Sequence, residues 1–482
     1  MLSVGGVLLA ILAGVLLRKF AIQEYLTPLA KLPGLRPSWL SNWIFYYDML
    51  FRPHISLPAE QHQQHGPIVR MGQRVVSIGC PDMFRTVYAS YRFPKSEEYS
   101  AFRVVGVTLF STQDTEDHRR RKKLIAPAYS QVAISDLEPL IHKTGTANLL
   151  ELLHKHADAN EPVDMMHALR LMTFDVIGEI AFGRSFDMLT TGNNHPITKW
   201  IEDHIRLSIV KYMLGPVFML LMPKEKLDSR AKFAKFAEEA VRKRREQPNT
   251  NRKDTLQRLL EAVDEETGDR LSESELVGEA IGQIVAGTET TASAIMALHL
   301  LYQSPERVEH LRAEVTAAAP DLSAPITHAA VRNLPYLDAV ISESQRLRPV
   351  SAYGAPRVVP KGGVNLGGYF IPEKTVIKTC FKAIHTNESV FSDAMTFNPE
   401  RWMIDESKLA AMRSSLIPFH IGPRACIGRA LAMMEMRLTI AEVVRRFALD
   451  TPPHLMTDMT PMYRTTCLPV GKKWLVLPRC IE

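Results

Sequence analysis

The chain has 482 residues, 46% of them hydrophobic and 23% charged, a balance that excludes a disordered or low-complexity protein. Its 58 Lys+Arg against 52 Asp+Glu leave a net charge of +6, too small an excess to mark a nucleic-acid binder. Cys80, Cys380, Cys426, Cys467 and Cys480 are scattered without a C-x-x-C pair, which argues against a zinc site or a disulfide framework and fits a reducing compartment.

Leu2 to Leu17 carries no charge, and Arg18-Lys19 follows at once. This run is slightly short of the roughly 20 residues that span a bilayer, but the basic pair can snorkel to the interface. Residues 1–20 are therefore expected to be an uncleaved membrane anchor, with the basic flank holding residues 21–482 on the cytoplasmic side. A cleaved signal peptide is the alternative; no positive charge precedes the apolar run to favour it. The sequon Asn387-Glu388-Ser389 has no role in that topology.

Leu32-Pro33-Gly34 through Tyr47 is rich in Pro and aromatic residues and reads as a stiff connector rather than a helix. Ile68 to Ile78 is β-branched and predicts a short hairpin. From about residue 114 to 350 the apolar period is helical, notably in Leu137–His154, Met165–Phe182 and Ile197–Met222. Ala231 to Gln247 predicts a charged amphipathic helix, broken by an exposed loop over 247–251. Ser272-Glu273-Ser274-Glu275 has the cap and acidic first turn of a helix start. An apolar helical segment runs from there to Gln303, and Pro305 ends it. A helix apolar nearly all round belongs in the middle of a large fold. Residues 355–379 read as β-structure, 383–428 as a long irregular stretch, and Gly428 to about Phe447 as a second helix. The last 30 residues read as strands and loops. No internal repeat appears, so residues 21–482 form one domain of mainly α structure with small β-sheets (α+β).

Phe419-His420-Ile421-Gly422-Pro423-Arg424-Ala425-Cys426-Ile427-Gly428 is the most informative segment. Gly422 permits a tight turn. Cys426 precedes a helix whose dipole and free N–H groups favour a thiolate. Taken by itself, such a cysteine reads as a buried, inert thiol. The whole segment, however, matches F-x-x-G-x-R-x-C-x-G, the haem-binding signature of the cytochrome P450 family, at every fixed position. The style of the flanking motifs resembles membrane-anchored fungal members of secondary metabolism.

That resemblance implies a long central helix over a haem and a cysteine-ligand loop beneath it. It implies haem b as cofactor, with Cys426 as the axial ligand of its iron, Arg424 on a propionate and Phe419 under the ring. A thiolate ligand pushes electron density onto iron and favours O–O cleavage. Glu343-Ser344-Gln345-Arg346 is an E-x-x-R, and Pro399-Glu400-Arg401-Trp402 resembles P-E-R-F with Trp for Phe. The family joins these as a structural network, here Glu343, Arg346 and Arg401. Ala286-Gly287-Thr288-Glu289-Thr290-Thr291 resembles the oxygen-activation motif and implies proton delivery by Glu289 and Thr290. A kink without chemistry is the other reading of these polar residues. Further haem contacts are implied for His118, Lys122 and Arg357, although His118 and Lys122 depart from the family's Trp and Arg.

The basic run Arg119–Lys123 reads as a docking face for an acidic electron donor or as a solvated face. The implied partners are a separate NADPH-cytochrome P450 reductase, with cytochrome b5 as a second electron donor, O2 and an apolar small molecule. The implied location is the endoplasmic reticulum membrane. The implied activity is insertion of one oxygen atom into a terpenoid, alkaloid or polyketide intermediate. A haem-thiolate isomerase or dehydratase, and a haem-binding sensor or carrier, are the other two classes. Both lack a need for the Glu289–Thr290 pair.

Overall fold

A computed structural model describes residues 4–481, apart from 53–55, 215–219, 221, 248–250 and 464–465. The central element is the helix Glu273–Ile295, whose start is fixed by a full capping box. The Ser272 hydroxyl accepts from the Glu275 N–H, and the Glu275 carboxylate accepts from the Ser272 N–H. The helical path breaks at Met296 and resumes over Ala297–Leu301. The stretch Glu273–Leu301 is long and apolar enough to cross a membrane, yet 67% of its apolar window is buried inside the protein, as a core helix requires.

In chain order the elements used below are α1 (Val4–Tyr25), α2 (Ser41–Phe51), α3 (Thr115–Ile125), α4 (Met165–Phe182), α5 (Pro196–Leu214), α6 (Lys224–Arg245), α7 (Glu273–Ile295), α8 (Pro335–Leu347), α9 (Glu406–Ser415) and α10 (Arg429–Arg446). The strands are β1 (Ile68–Gly72), β2 (Val75–Ile78), β3 (Tyr353–Val358) and β4 (Val376–Cys380). They form one sheet in the order β1-β2-β4-β3, antiparallel except where β2 pairs in parallel with β4. A three-stranded sheet near the C-terminus joins Val163–Asp164, Leu475–Cys480 and Phe447–Asp450.

One large apolar cluster joins α4, α7, α8 and α10, and a smaller one packs against the β1–β4 sheet. The contact of α4 with α7 is close because of a glycine. A Cβ on Gly287 would sit 2.9 Å from the Ile177 Cδ1 atom. Gly287 therefore serves helix packing as well as leaving room in the interior.

Two elements differ from the sequence reading. Residues 41–51 form helix α2 inside the stretch read as a connector, because Pro33 and Pro37 precede it and leave its own interior free of breakers. Residues 406–415 form helix α9 inside the stretch read as irregular; its short apolar face, Leu409 and Met412, packs on Phe391 and Ala394. Of the loop expected over 247–251, residues 248–250 lie outside the described residues. Of the expected anchor, residues 1–3 do so too, and α1 continues to Tyr25 rather than stopping near residue 20.

Candidate active site

A cavity of about 1130 Å³ lies between α7 above and the 419–428 loop with the start of α10 below. Phe419, Arg424, Cys426 and Gly428 line its floor, and Gly282, Ala286, Gly287, Thr290, Thr291 and Ala294 line its roof. The floor is shaped by Gly422 at φ +73°, where a Cβ would fall 2.2 Å from the Tyr88 carbonyl oxygen. No other residue fits that turn without moving the chain. The Cys426 N–H donates to the Phe419 carbonyl at 2.9 Å and closes the loop. The loop hands over to α10 through Gly428, its N-cap.

Cys426 opens onto the cavity but is deeply packed. Burial raises its thiol pKa, against the opposing effects of the Gly428 N–H and Arg429. The Gly428 N–H favours the thiolate, as the start of a helix does, while burial opposes it. Coordination to a metal would deprotonate it outright.

One side of the floor is lined with cations. Arg424 donates to the carbonyls of Thr112, at 2.9 Å, and of Asp114, at 3.2 Å. Lys122 Nζ donates to Pro423 O at 2.7 Å. The Arg357 guanidinium donates to the Tyr99 hydroxyl at 3.2 Å and lies over the Tyr88 ring. His118 Nδ1 bonds the Tyr91 hydroxyl at 2.9 Å. Lys95, which the sequence reading did not single out, joins them, buried and bonded to the Phe110 carbonyl.

Among the described residues none of these five makes a salt bridge. Burial, then the neighbouring cations, pushes His118 down to about 3 and Lys95 well below its usual range. Arg424 is lowered to about 10 by burial and by Arg357. Buried cations with no counter-charge are costly, so the cluster fits an anionic ligand. A flat group carrying carboxylates, with its centre over Cys426, satisfies the cations and the thiol together. The residues present fit a haem.

Behind the floor, Glu343, Arg346 and Arg401 meet in a fully enclosed network. Glu343 Oε1 accepts from Arg346 Nη2 at 2.8 Å, Arg401 Nε at 3.0 Å and the Asn398 N–H at 2.9 Å. Its Oε2 accepts from Arg346 Nε and from Trp402 Nε1, each at 2.9 Å. Trp402 stands where the resembling motif has Phe, and its indole supplies a donor that Phe lacks. The arginines then tie down the irregular chain. Arg346 donates to the His385 and Ala394 carbonyls, and Arg401 to the Ser392 carbonyl. His385 Nε2 in turn accepts from the Ile417 N–H at 3.1 Å, two residues before the floor begins.

The roof divides the acid–alcohol pair. Thr290 lines the cavity, and its hydroxyl back-bonds to the Ala286 carbonyl. Glu289 does not line it. Its carboxylate pairs with Arg170 of α4 at 2.5 Å, and Arg170 also holds Glu202 of α5 at 2.9 Å. Burial raises the Glu289 pKa, with Arg170 opposing. The carboxyl that does line the roof is Glu279, one face of the same helix upstream. It accepts from the Leu109 N–H at 2.6 Å, and burial pushes it up to about 7.

The basic run on α3 is not a free positive face. Arg121 is buried between Asp117 and Glu275, and Lys122 turns into the cavity. Arg119 pairs with Glu116, Arg120 with Asp269 and Glu275, and Lys123 with Asp264 and Glu266. The cations missing their partners in a local reading find them on a segment, 264–275, far along the chain.

The fold and this site fit a haem-dependent enzyme, and the comparisons with known proteins agree. The cytochrome P450 family model matches residues 33–474, so the chain belongs to the cytochrome P450 family. It is similar to the trichothecene C-15 hydroxylase of Fusarium sporotrichioides, 30% identical over 87% of each chain. It is similar also to benzoate 4-monooxygenase bphA of Aspergillus niger, 31% identical over 81% of each chain. A crystal structure of a cytochrome P450, CYP102L1, shares the fold with a TM-score of 0.79 over 93% of this chain and 99% of that one, at 24% identity. The chain is a monooxygenase of that family.

Proposed function

We propose that this enzyme uses haem b to insert one oxygen atom of O2 into an apolar small molecule of secondary metabolism, with electrons from a separate NADPH-dependent reductase. One observation carries this reading. Cys426 lies on the floor of a large, mostly apolar cavity whose roof carries Thr290, beside five basic side chains that make no salt bridge among the described residues. The relatives named as hydroxylases of a trichothecene and of benzoate support a small-molecule substrate.

The haem, when bound, supplies dioxygen activation on a thiolate-ligated iron. Cys426 would hold the iron. Arg424, Arg357, Lys122, His118 and Lys95 would hold the haem propionates. Phe419 would pack against the ring. Glu343, Arg346 and Arg401 hold the chain that leads to the floor. Thr290 holds a proton at its Oγ1 on the roof, and Glu289 exchanges protons with solvent when Arg170 releases it. The apolar lining excludes bulk water, which limits loss of reducing equivalents to peroxide. The helix α1, with Ile11, Val15 and Leu17 exposed, is suited to anchor the enzyme in the endoplasmic reticulum membrane.

The test is turnover of candidate substrates with a reductase, comparing wild type with Thr290→Ala. The variant is expected to consume NADPH at a similar rate while diverting it to hydrogen peroxide. Unchanged coupling would remove Thr290 from proton delivery.

A further inference from the structure

Gln283 is a polar side chain on the roof for which the chemistry above has no use. It lines the cavity from α7, together with Glu279, Ala286, Gly287 and Thr290. These positions recur at intervals of three and four, so they share one face of the helix. Gln283 Oε1 is buried without a hydrogen-bond partner, and among the described residues Nε2 has none either. Other polar groups on the wall are engaged. Thr108 Oγ1 meets Ser111 Oγ at 3.1 Å, Glu98 pairs with Lys378 at 2.9 Å, and Glu279 accepts from the Leu109 N–H at 2.6 Å. An orphaned amide destabilises the fold that carries it, and such breaches of local rules mark functional positions. A mostly apolar pocket with a few placed polar groups uses them to orient its ligand. There is also room beside the amide, because a Cβ on Gly282, which lines the same cavity, would meet nothing within 4 Å.

We propose that Gln283 is a specificity-determining residue, and that its amide hydrogen-bonds a hydroxyl group carried by an otherwise apolar substrate. The proposal rests on the monooxygenase reading and deepens it by naming a substrate class. Seven residues at 1.5 Å each place Gln283 about 10 Å along α7 from Thr290. The hydroxyl therefore sits well away from the carbon to be oxidised. A substrate of this kind arrives already hydroxylated. The reaction that supplies it is a prior hydroxylation, or a cyclisation ended by addition of water.

A hydroxyl suits the amide better than other groups do. It can donate to Oε1 or accept from Nε2, so it satisfies either orientation of the amide. A hydrocarbon satisfies neither. The ionisable neighbour on the same helix face, one turn away, is Glu279, which already holds the Leu109 N–H and lies 3.9 Å from Arg121. A carboxylate at Gln283 would face that acid, and an ammonium would compete with Arg121 for it. The amide itself carries no charge to attract either.

The experiment is equilibrium dialysis of the haem-loaded, full-length protein with four probes that share a dodecyl chain: dodecane, 1-dodecanol, dodecanoate and dodecyltrimethylammonium. The ratio of 1-dodecanol to dodecane affinity is expected to fall roughly two- to tenfold in Gln283→Leu and in Gln283→Met, the range of one neutral hydrogen bond. A ratio unchanged in both variants overturns the proposal. So does an equal or larger loss for dodecanoate or dodecyltrimethylammonium, because the site would then read charge.

Thermal melting of the substrate-free protein separates recognition from a structural role. Gln283→Leu and Gln283→Met are expected to melt at or above the wild-type temperature, because each removes an unpaired amide from an apolar helix. A lower melting temperature in both would assign the amide to the fold and overturn the proposal. Dialysis needs neither a reductase nor turnover. An abnormal carbon monoxide spectrum of the reduced wild type would defeat the monooxygenase reading itself. An unchanged affinity ratio beside a normal spectrum defeats the role of Gln283 alone.

Discussion

Replacing Glu343 by Gln tests how strongly the fold behind the cysteine loop depends on one carboxylate. Glu343 is 0% exposed and accepts five hydrogen bonds, three of them from the guanidiniums of Arg346 and Arg401. Gln keeps the shape but removes the charge and offers an N–H₂ group where donors converge. The Arg346 and Arg401 cations stay buried with no counter-charge. Breaking a buried pair from one side costs about 3–5 kcal/mol, and here two cations lose the same partner. Set against a typical net stability of about 5–15 kcal/mol, that is a large part of the whole. The released segment, 385–402, is the one that fixes Ile417 through His385.

The assay is urea denaturation of the haem-loaded protein, followed by far-ultraviolet circular dichroism and by the carbon monoxide signal of the reduced state. Midpoints are compared rather than extrapolated free energies, because a cofactor-binding chain of this length need not unfold in two states. The expected result for Glu343→Gln is a large drop in the midpoint, or failure to retain haem. A midpoint within error of wild type, with the thiolate signal intact, would refute the reasoning. Arg307→Ala is the control. Its partner Glu400 is 45% exposed at the side chain, and an exposed pair of this kind contributes about 0–1 kcal/mol.

Lys95→Met removes a buried basic group beside Arg357 and Arg424, so the haem-free protein is expected to become more stable while the haem is held less tightly. A charged hydrogen bond of about 1.5–3 kcal/mol corresponds to roughly tenfold or more in the rate of haem transfer to a scavenger protein. Equal transfer rates would exclude Lys95 from propionate binding. Glu279 predicts a pH dependence. Its folded-state pKa, about 7, lies above its ordinary value of 4.5, so the folded chain keeps this proton to higher pH than the unfolded chain. Its contribution to stability is present at and below pH 4.5 and is lost as pH rises through 7. Glu279→Gln is expected to flatten that part of the profile in thermal melts at successive pH values; a profile parallel to wild type would count against it.

The sequence made legible what is local. The capping box at Ser272, the turn at Gly422 and the helix Met165–Phe182 each follow from residues within one or two turns of one another. Helices α2 and α9 were not legible, because proline-rich flanks and short apolar faces hide a period of 3.6.

Long-range partners escaped for a different reason. Nothing near Glu289 announces Arg170, and nothing near Arg120 announces Asp269 and Glu275. Glu435 reads as one more acid on a mixed helix until its neighbours are in place and bury it. Lys95 carries a weak signal, a lysine directly after an aromatic and a proline in Phe93-Pro94-Lys95, which only the fold turns inward. The network residues were legible as motifs, and the extra donor at Trp402 became meaningful only with its 2.9 Å bond to Glu343.

The most direct test of the central claim is the carbon monoxide difference spectrum of the reduced protein, recorded for wild type and for Cys426→His. The account predicts a Soret band at the far-red position of thiolate ligation in wild type. It predicts that the band moves to the position of an imidazole-ligated haem in the variant, because Cys426 is the axial ligand. A wild-type band already at the imidazole position, or a far-red band that survives the substitution, would contradict it.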